Sequence, residues 1–257
     1  MPLAELHGKL PGPVRRSEDA LTGAAFNLLT LLPPEGVLLP WLNLAQDSDG
    51  VGVGLPAVGR VEAAFWPLWK DGSGRDCEPD VVLSIQTEDA CTVVLIEVKY
   101  LSGLSGWPTP PDAGEVRGQL GREWEALDAV SGHELPGARA TISRRVLIFV
   151  TTDTQVPKET LDLSVAEIQA KMSGARANIF WLSWFALADV VEARMHEAGV
   201  PSWERLGLAR LLALLESRRL VVFSGIDAPT PPSVPWSYQS SYFGAVEPVL
   251  IPWSYSS

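Results

Sequence analysis

Apolar residues at a spacing of three and four, Leu21, Ala24, Ala25, Leu28, Leu29 and Leu32, predict a helix over residues 17–32. Ser17 suits its N-cap, Glu18 and Asp19 sit in the first turn where carboxylates favour the positive helix end, and Pro33-Pro34 stops it. Three strand-like runs follow, at residues 61–69, 79–85 and 92–99, and the connection Gln86–Ala90 between the last two suits a hairpin. A second helix over 114–130 carries Val116, Leu120, Trp124 and Leu127 on one face. The run RVLIFVT at 145–151 has few polar breaks, the pattern of a strand covered on both faces. A helix at 163–172, a strand at 179–182 and helices at 184–196 and 203–217 complete the ordered part. The glycine-rich stretch 46–59 lacks the Lys-Ser/Thr ending of a phosphate loop and reads as a connection.

The chain divides into an irregular arm (1–16), one domain (17–226, with its core at 17–151) and a tail (227–257) rich in proline and aromatics, predicted to dock through Trp236, Tyr238, Tyr242 and Phe243. With 46% apolar and 20% charged residues among 257, the composition is that of a globular protein. The net charge of −11 excludes a histone-like basic coat protein but not a local basic cleft. Two cysteines cannot build a disulfide framework or a four-thiolate zinc site. The N-terminal residues lack a signal-like apolar core, and no apolar run reaches the roughly 20 residues that span a bilayer. The expectation is a cytoplasmic protein without membrane attachment.

Chemistry concentrates in Glu78-Pro79-Asp80, followed after sixteen residues by Glu97-Val98-Lys99. Alternation along a strand sends Glu97 and Lys99 to one face and Val98 to the other. A hairpin then sets Asp80 beside Glu97 and Lys99, at the edge of the apolar run 93–96, where charges are costly unless paired or metal-bound. Two carboxylates are hard oxygen ligands for a hydrated Mg²⁺. A lysine beside them can orient an attacking water and stabilise charge developing on a phosphodiester. The competing reading is a surface hairpin whose ion pair is worth at most about 1 kcal/mol.

Pro79-Asp80 with Glu97-Val98-Lys99 at hairpin spacing resembles the signature of the PD-(D/E)XK, or restriction-endonuclease-like, nuclease superfamily. The order of helix, three strands, helix and strand over residues 17–151 resembles its αβββαβ core, a mixed β-sheet flanked by helices in an α/β fold. The C-terminal helices and strands would be additions to that core. The resemblance implies Asp80 and Glu97 as ligands of Mg²⁺ (or Mn²⁺), the Val98 carbonyl as a further ligand, and Lys99 as the catalytic lysine. It matches Glu18 to the acidic residue of the first core helix, and Gln119, with Arg122 one turn on, to the polar residue of the helix after the lysine strand.

Ser102 and Ser105 lie in a glycine-containing loop suited to bringing backbone N–H groups to a phosphate, and Trp107 is a candidate for contacting a base. Glu78 is an auxiliary candidate. Cys77 reads as a small core residue. Trp66, Trp124, Trp181 and Trp184 sit in apolar patterns and are expected in the core. The expected function is metal-dependent hydrolysis of DNA, in restriction, repair or defence against mobile elements. DNA is the expected partner, with a homodimer or a protein partner left open. The alternative is an idle nuclease-fold protein that binds nucleic acid or a protein.

Overall fold

The computed structural model describes residues 18–57, 59–102, 104, 118–135, 137, 141–172 and 177–221. The N-terminal arm, Ser17, Ser105, Trp107 and the aromatic tail from 227 lie outside them, and so do the expectations attached to those residues.

In chain order the elements are α1 (Glu18–Leu31), α2 (Leu38–Leu42), β1 (Arg60–Phe65), β2 (Trp69–Lys70), β3 (Asp76–Cys77), β4 (Val81–Gln86), β5 (Cys91–Val98), α3 (Gln119–Ala129), β6 (Ile142–Thr151), α4 (Lys158–Lys171), β7 (Ile179–Ser183), α5 (Phe185–His196) and α6 (Ser202–Ser217). Strands β1, β4, β5, β6 and β7 form one sheet in that order, and β2 pairs with β3 alone. The β1–β4 and β4–β5 pairs are antiparallel. The β5–β6 and β6–β7 pairs are parallel, each joined by a helical crossover. The chain is thus a mixed α/β fold with a five-stranded mixed sheet flanked by helices.

Alternation along the strands divides the core into two layers. Val81, Leu83, Ile85, Val94, Ile96, Val146 and Ile148 face α1, α2, α5 and α6. Val82, Val93, Leu95, Leu147, Phe149 and Trp181 face Leu120, Trp124 and Leu127 of α3 and Leu161 and Ile168 of α4. All eight residues of β5 are buried, as the apolar run 93–96 requires of a central strand, and Thr92 and Glu97 are buried with it. In the first layer Phe26, Trp41 and Trp184 meet with ring centroids 5.4 to 6.1 Å apart. Each such pair adds about 0.5–1.5 kcal/mol beyond the area it buries.

Several boundaries differ from expectation. The first strand ends at Phe65 rather than 69, because Trp66 adopts φ 48° and Pro67 can donate no ladder hydrogen bond. Trp66 is therefore not a core residue: it is 37% exposed, its ring tilted at 44° against Phe65. Trp124, Trp181 and Trp184 are buried as expected. Gly118 is extended and α3 runs from Gln119, the expected residues 114–117 with Val116 lying outside the described ones, and α4 starts at Lys158, five residues before the predicted 163. Strand β6 begins three residues early, at Ile142, because its two arginines have partners. Arg144 donates to the carbonyls of Val53 and Gly54, and Arg145 to those of Leu127 and Val130.

A short helix and a two-stranded hairpin were not anticipated. In α2, LLPWL, the proline falls in the first turn, where a missing N–H costs nothing. The β2–β3 turn is organised by buried Asp71, which accepts from the Ser73 and Arg75 backbones, the Ser73 hydroxyl and the Arg75 guanidinium. Burial alone would raise its carboxyl, but these donors and Arg75 pull it down to about 2.

Gly59, just before β1, is a tight point: a Cβ there would lie 2.6 Å from the backbone oxygen of Gln86. Backbone cannot yield as a side-chain tip can, so Gly59→Ala should destabilise the fold by about 1–3 kcal/mol. Urea unfolding would show this as a lower midpoint with an unchanged slope.

Candidate active site

The β4–β5 register pairs Val81 with Ile96, and continuing it by one residue puts Asp80 opposite Glu97. The Val98 backbone N–H donates to Asp80 Oδ2 at 2.8 Å, which ties the start of one strand to the end of the next. Glu97 shares the face of Val93 and Leu95, toward α3. Its Oε1 accepts from Lys99 Nζ at 2.5 Å and from the Gln119 side-chain amide. Lys99 Nζ also donates to Glu18 Oε1 at 3.1 Å, so α1 reaches the site across the sheet end. Glu18 Oε2 accepts from the Tyr100 backbone N–H at 2.9 Å and from the Ser102 hydroxyl.

Asp80, Glu97, Lys99, Glu18, Gln119 and Ser102 are thus brought into one connected group, with the Val98 backbone inside it. Arg122 is half-buried on the same helix and hydrogen-bonds none of these side chains. Its charge acts instead on the Cys77 thiol. Glu78 is exposed and has no contact in the group. Cys77 is buried, and burial together with the nearby Glu123 pushes its thiol up to about 12. A thiol so held is not a nucleophile.

Glu123, one turn after Gln119, was missed by sequence reasoning. Its Oε1 accepts from Gln119 Nε2 at 3.1 Å, its carboxyl shares a hydrogen bond with Glu97, and its Oε2 is buried with no partner. The i, i+4 spacing from Gln119 was the available signal.

Among the described residues four carboxyls here share one ammonium, and three of them, Asp80, Glu97 and Glu123, are pushed upward. Burial, reinforced by the Glu97 charge, pushes Asp80 up to about 7. Burial pushes Glu123 up to about 7, and Glu97 well above the usual carboxylate range with Glu123 adding to it. Burial alone would lower Lys99, but Glu97 and then Glu18 raise it, so it stays an ammonium.

Among the described residues, no group of three or more His, Cys, Asp or Glu side chains is arranged to hold a metal ion. Mg²⁺ asks for less: it is bound by one or two carboxylates and keeps several waters. Asp80, Glu97 and a strand-end carbonyl are donors of that kind. The unpartnered Glu123 oxygen and the excess of carboxyls over cations fit a divalent ion as the missing charge.

Comparison of the chain with protein-family models, curated proteins and solved structures found no match. Among the described residues, no helix is long and apolar enough to cross a membrane.

Proposed function

We propose that the chain is a Mg²⁺-dependent phosphodiesterase acting on nucleic acid, built on a restriction-endonuclease-like core. The observation that carries this reading is the meeting of Asp80, Glu97 and Lys99 at one sheet end, with Lys99 paired to Glu97 at 2.5 Å and Asp80 tied to the backbone between them. The family resemblance of Pro79-Asp80 and Glu97-Val98-Lys99 supports the same assignment.

In this reading Asp80, Glu97 and the Val98 carbonyl hold the metal. A Mg²⁺ ion held there would supply charge neutralisation at the scissile phosphate and would acidify a water. Lys99 orients that water and stabilises charge as it develops on phosphorus. Glu97 and Glu18 keep the ammonium in place and protonated. Gln119 fixes the rotamer of Glu97, and Ser102 and the Tyr100 N–H fix Glu18.

One observation favours the second reading, an idle fold that binds a protein. Arg144 and Arg145 are committed to backbone carbonyls, and Lys70, Lys158 and Arg194 to carboxylates, which leaves them poorly placed to line a basic cleft for duplex phosphates. Incubation with plasmid, single-stranded DNA and RNA, with Mg²⁺ and then with chelator, separates the two. Metal-dependent cleavage is expected, and its absence on all three substrates would leave the idle reading.

A further inference from the structure

Beside Lys99 a cavity of about 250 Å³ opens along the C-terminal ends of β5 and β6 to the start of α4. Leu104, Phe149 and Pro157 give it apolar walls, while Thr151 and Asp153 line it with polar groups. It lies at the carboxyl ends of parallel strands, where open α/β sheets take ligands.

Its polar edge is held by a fixed chain of hydrogen bonds. The buried Trp181 Nε1–H donates to Thr151 Oγ1 at 2.9 Å, and that hydroxyl donates its one proton to Asp153 Oδ2 at 2.7 Å. The Asp153 backbone N–H returns to Thr151 Oγ1 at 3.1 Å, and the Ser183 hydroxyl donates to the Asp153 carbonyl at 2.8 Å. Asp153 is therefore held from β6 and β7 together, with Oδ1 accepting no hydrogen bond from the described residues.

The chemistry of this cavity does not suit a phosphate. Among the described residues that line it the one cationic side chain, Lys99, already lies between Glu97 and Glu18, and Asp153 repels an anion. What it suits is a flat apolar group with N–H donors on one edge. Its volume is below the roughly 300–1,000 Å³ of pockets for drug-sized ligands. That admits a single nucleobase and excludes a base pair.

We propose that this cavity takes the unpaired base next to the scissile phosphate, and that Asp153 reads the N–H donors of that base. The inference rests on the phosphodiesterase reading for the position of the phosphate. It deepens that reading by assigning single-stranded nucleic acid as the substrate. In a duplex the Watson–Crick edge is used in pairing and the base cannot enter. Guanine, which offers two adjacent N–H groups to one carboxylate, is the preferred occupant.

The test uses labelled thymidine oligonucleotides carrying one central guanine, adenine, cytosine or abasic site, and the matching duplex. Binding is read by fluorescence anisotropy with Ca²⁺ in place of Mg²⁺, and cleavage is read separately with Mg²⁺. The wild-type chain should bind the guanine strand about tenfold or more tighter than the abasic one, the scale of a bidentate base contact. Asp153→Asn should erase that difference and leave the abasic strand unaffected. Because Asp153 is exposed, the variant keeps the fold, which an unchanged Tm verifies. Cleavage without base-dependent binding, or tighter binding of the duplex, would overturn the base subsite while leaving the phosphodiesterase reading. Base-dependent binding that Asp153→Asn abolishes, with no cleavage of any strand, would keep the subsite and overturn the phosphodiesterase. Neither binding difference nor cleavage would overturn both.

Discussion

Asp80→Asn should lower Mg²⁺-dependent cleavage by about a thousandfold or more while leaving the chain folded. The magnitude follows from losing a metal whose charge stabilisation is worth several kcal/mol in the transition state, each 1.4 kcal/mol being about tenfold in rate. Geometry makes this a clean substitution. Asp80 Oδ2 accepts from the Val98 N–H, and an asparagine oxygen can accept the same bond. What is removed is a charge that burial and Glu97 already oppose. Calorimetric titration with Mg²⁺ should show weakened binding, and thermal unfolding without metal should show equal or higher stability. Lys99→Ala separates ligand from catalyst: metal affinity should hold or rise, since a competing cation is gone, while cleavage is lost. Its metal-free form should melt earlier, because Glu97 and Glu18 lose their buried counter-charge. Cleavage by folded Asp80→Asn at the wild-type rate would refute the assignment of the site.

The candidate site was more legible than the chain around it, for a physical reason. Strand alternation and hairpin pairing are short-range rules, and they sufficed to bring Asp80, Glu97 and Lys99 together. Glu18 and Gln119 reached the site through the resemblance, which names the helices that supply them; their contacts with Lys99 and Glu97 could not come from periodicity. Glu123 stayed hidden because an acidic residue on a helix reads as solvent-facing. Only the packing of α3 against β5 turns it inward. Trp66 failed in the opposite sense: its apolar neighbours suggested core, but a positive φ before Pro67 ends the strand and turns the ring to the surface. Strand β6 began early because arginines read as strand-ending until their carbonyl partners on other segments are known. The polar chain from Trp181 to Asp153 links β7 to the end of β6, a contact between strands that only the parallel register defines.

Without metal, the protein should become less stable as pH rises from about 4 to about 7, and Mg²⁺ should reverse this. Folding carries Asp80 from an ordinary 3.8 to about 7 and Glu123 from 4.5 to about 7. Between those limits the folded state binds more protons than the unfolded chain, so stability falls with increasing pH and levels off above the folded values. Asp71 acts in the opposite sense, because its carboxyl is held at about 2 when folded, but its window closes below pH 4. The metal-free optimum therefore sits on the acid side of neutrality. A divalent ion binds the ionised carboxyls, so its stabilisation should grow through the same window in which the apo protein weakens. Glu123→Gln isolates the effect. The amide keeps the size of the side chain, retains an oxygen to accept from Gln119, and removes a buried acid whose Oε2 has no partner. At pH 8 with chelator this variant should melt on the order of 5 °C above wild type, the shift expected for one or two kcal/mol in a chain of this size. At pH 5 the gap should be much smaller, because Glu123 is then protonated in the fold and only its partial ionisation in the unfolded chain still counts. Thermal unfolding followed by circular dichroism at both pH values gives the comparison. A metal-free wild type whose Tm climbs from pH 5 to pH 8, with Glu123→Gln tracking it throughout, would show that the buried carboxyls are not held protonated by their surroundings.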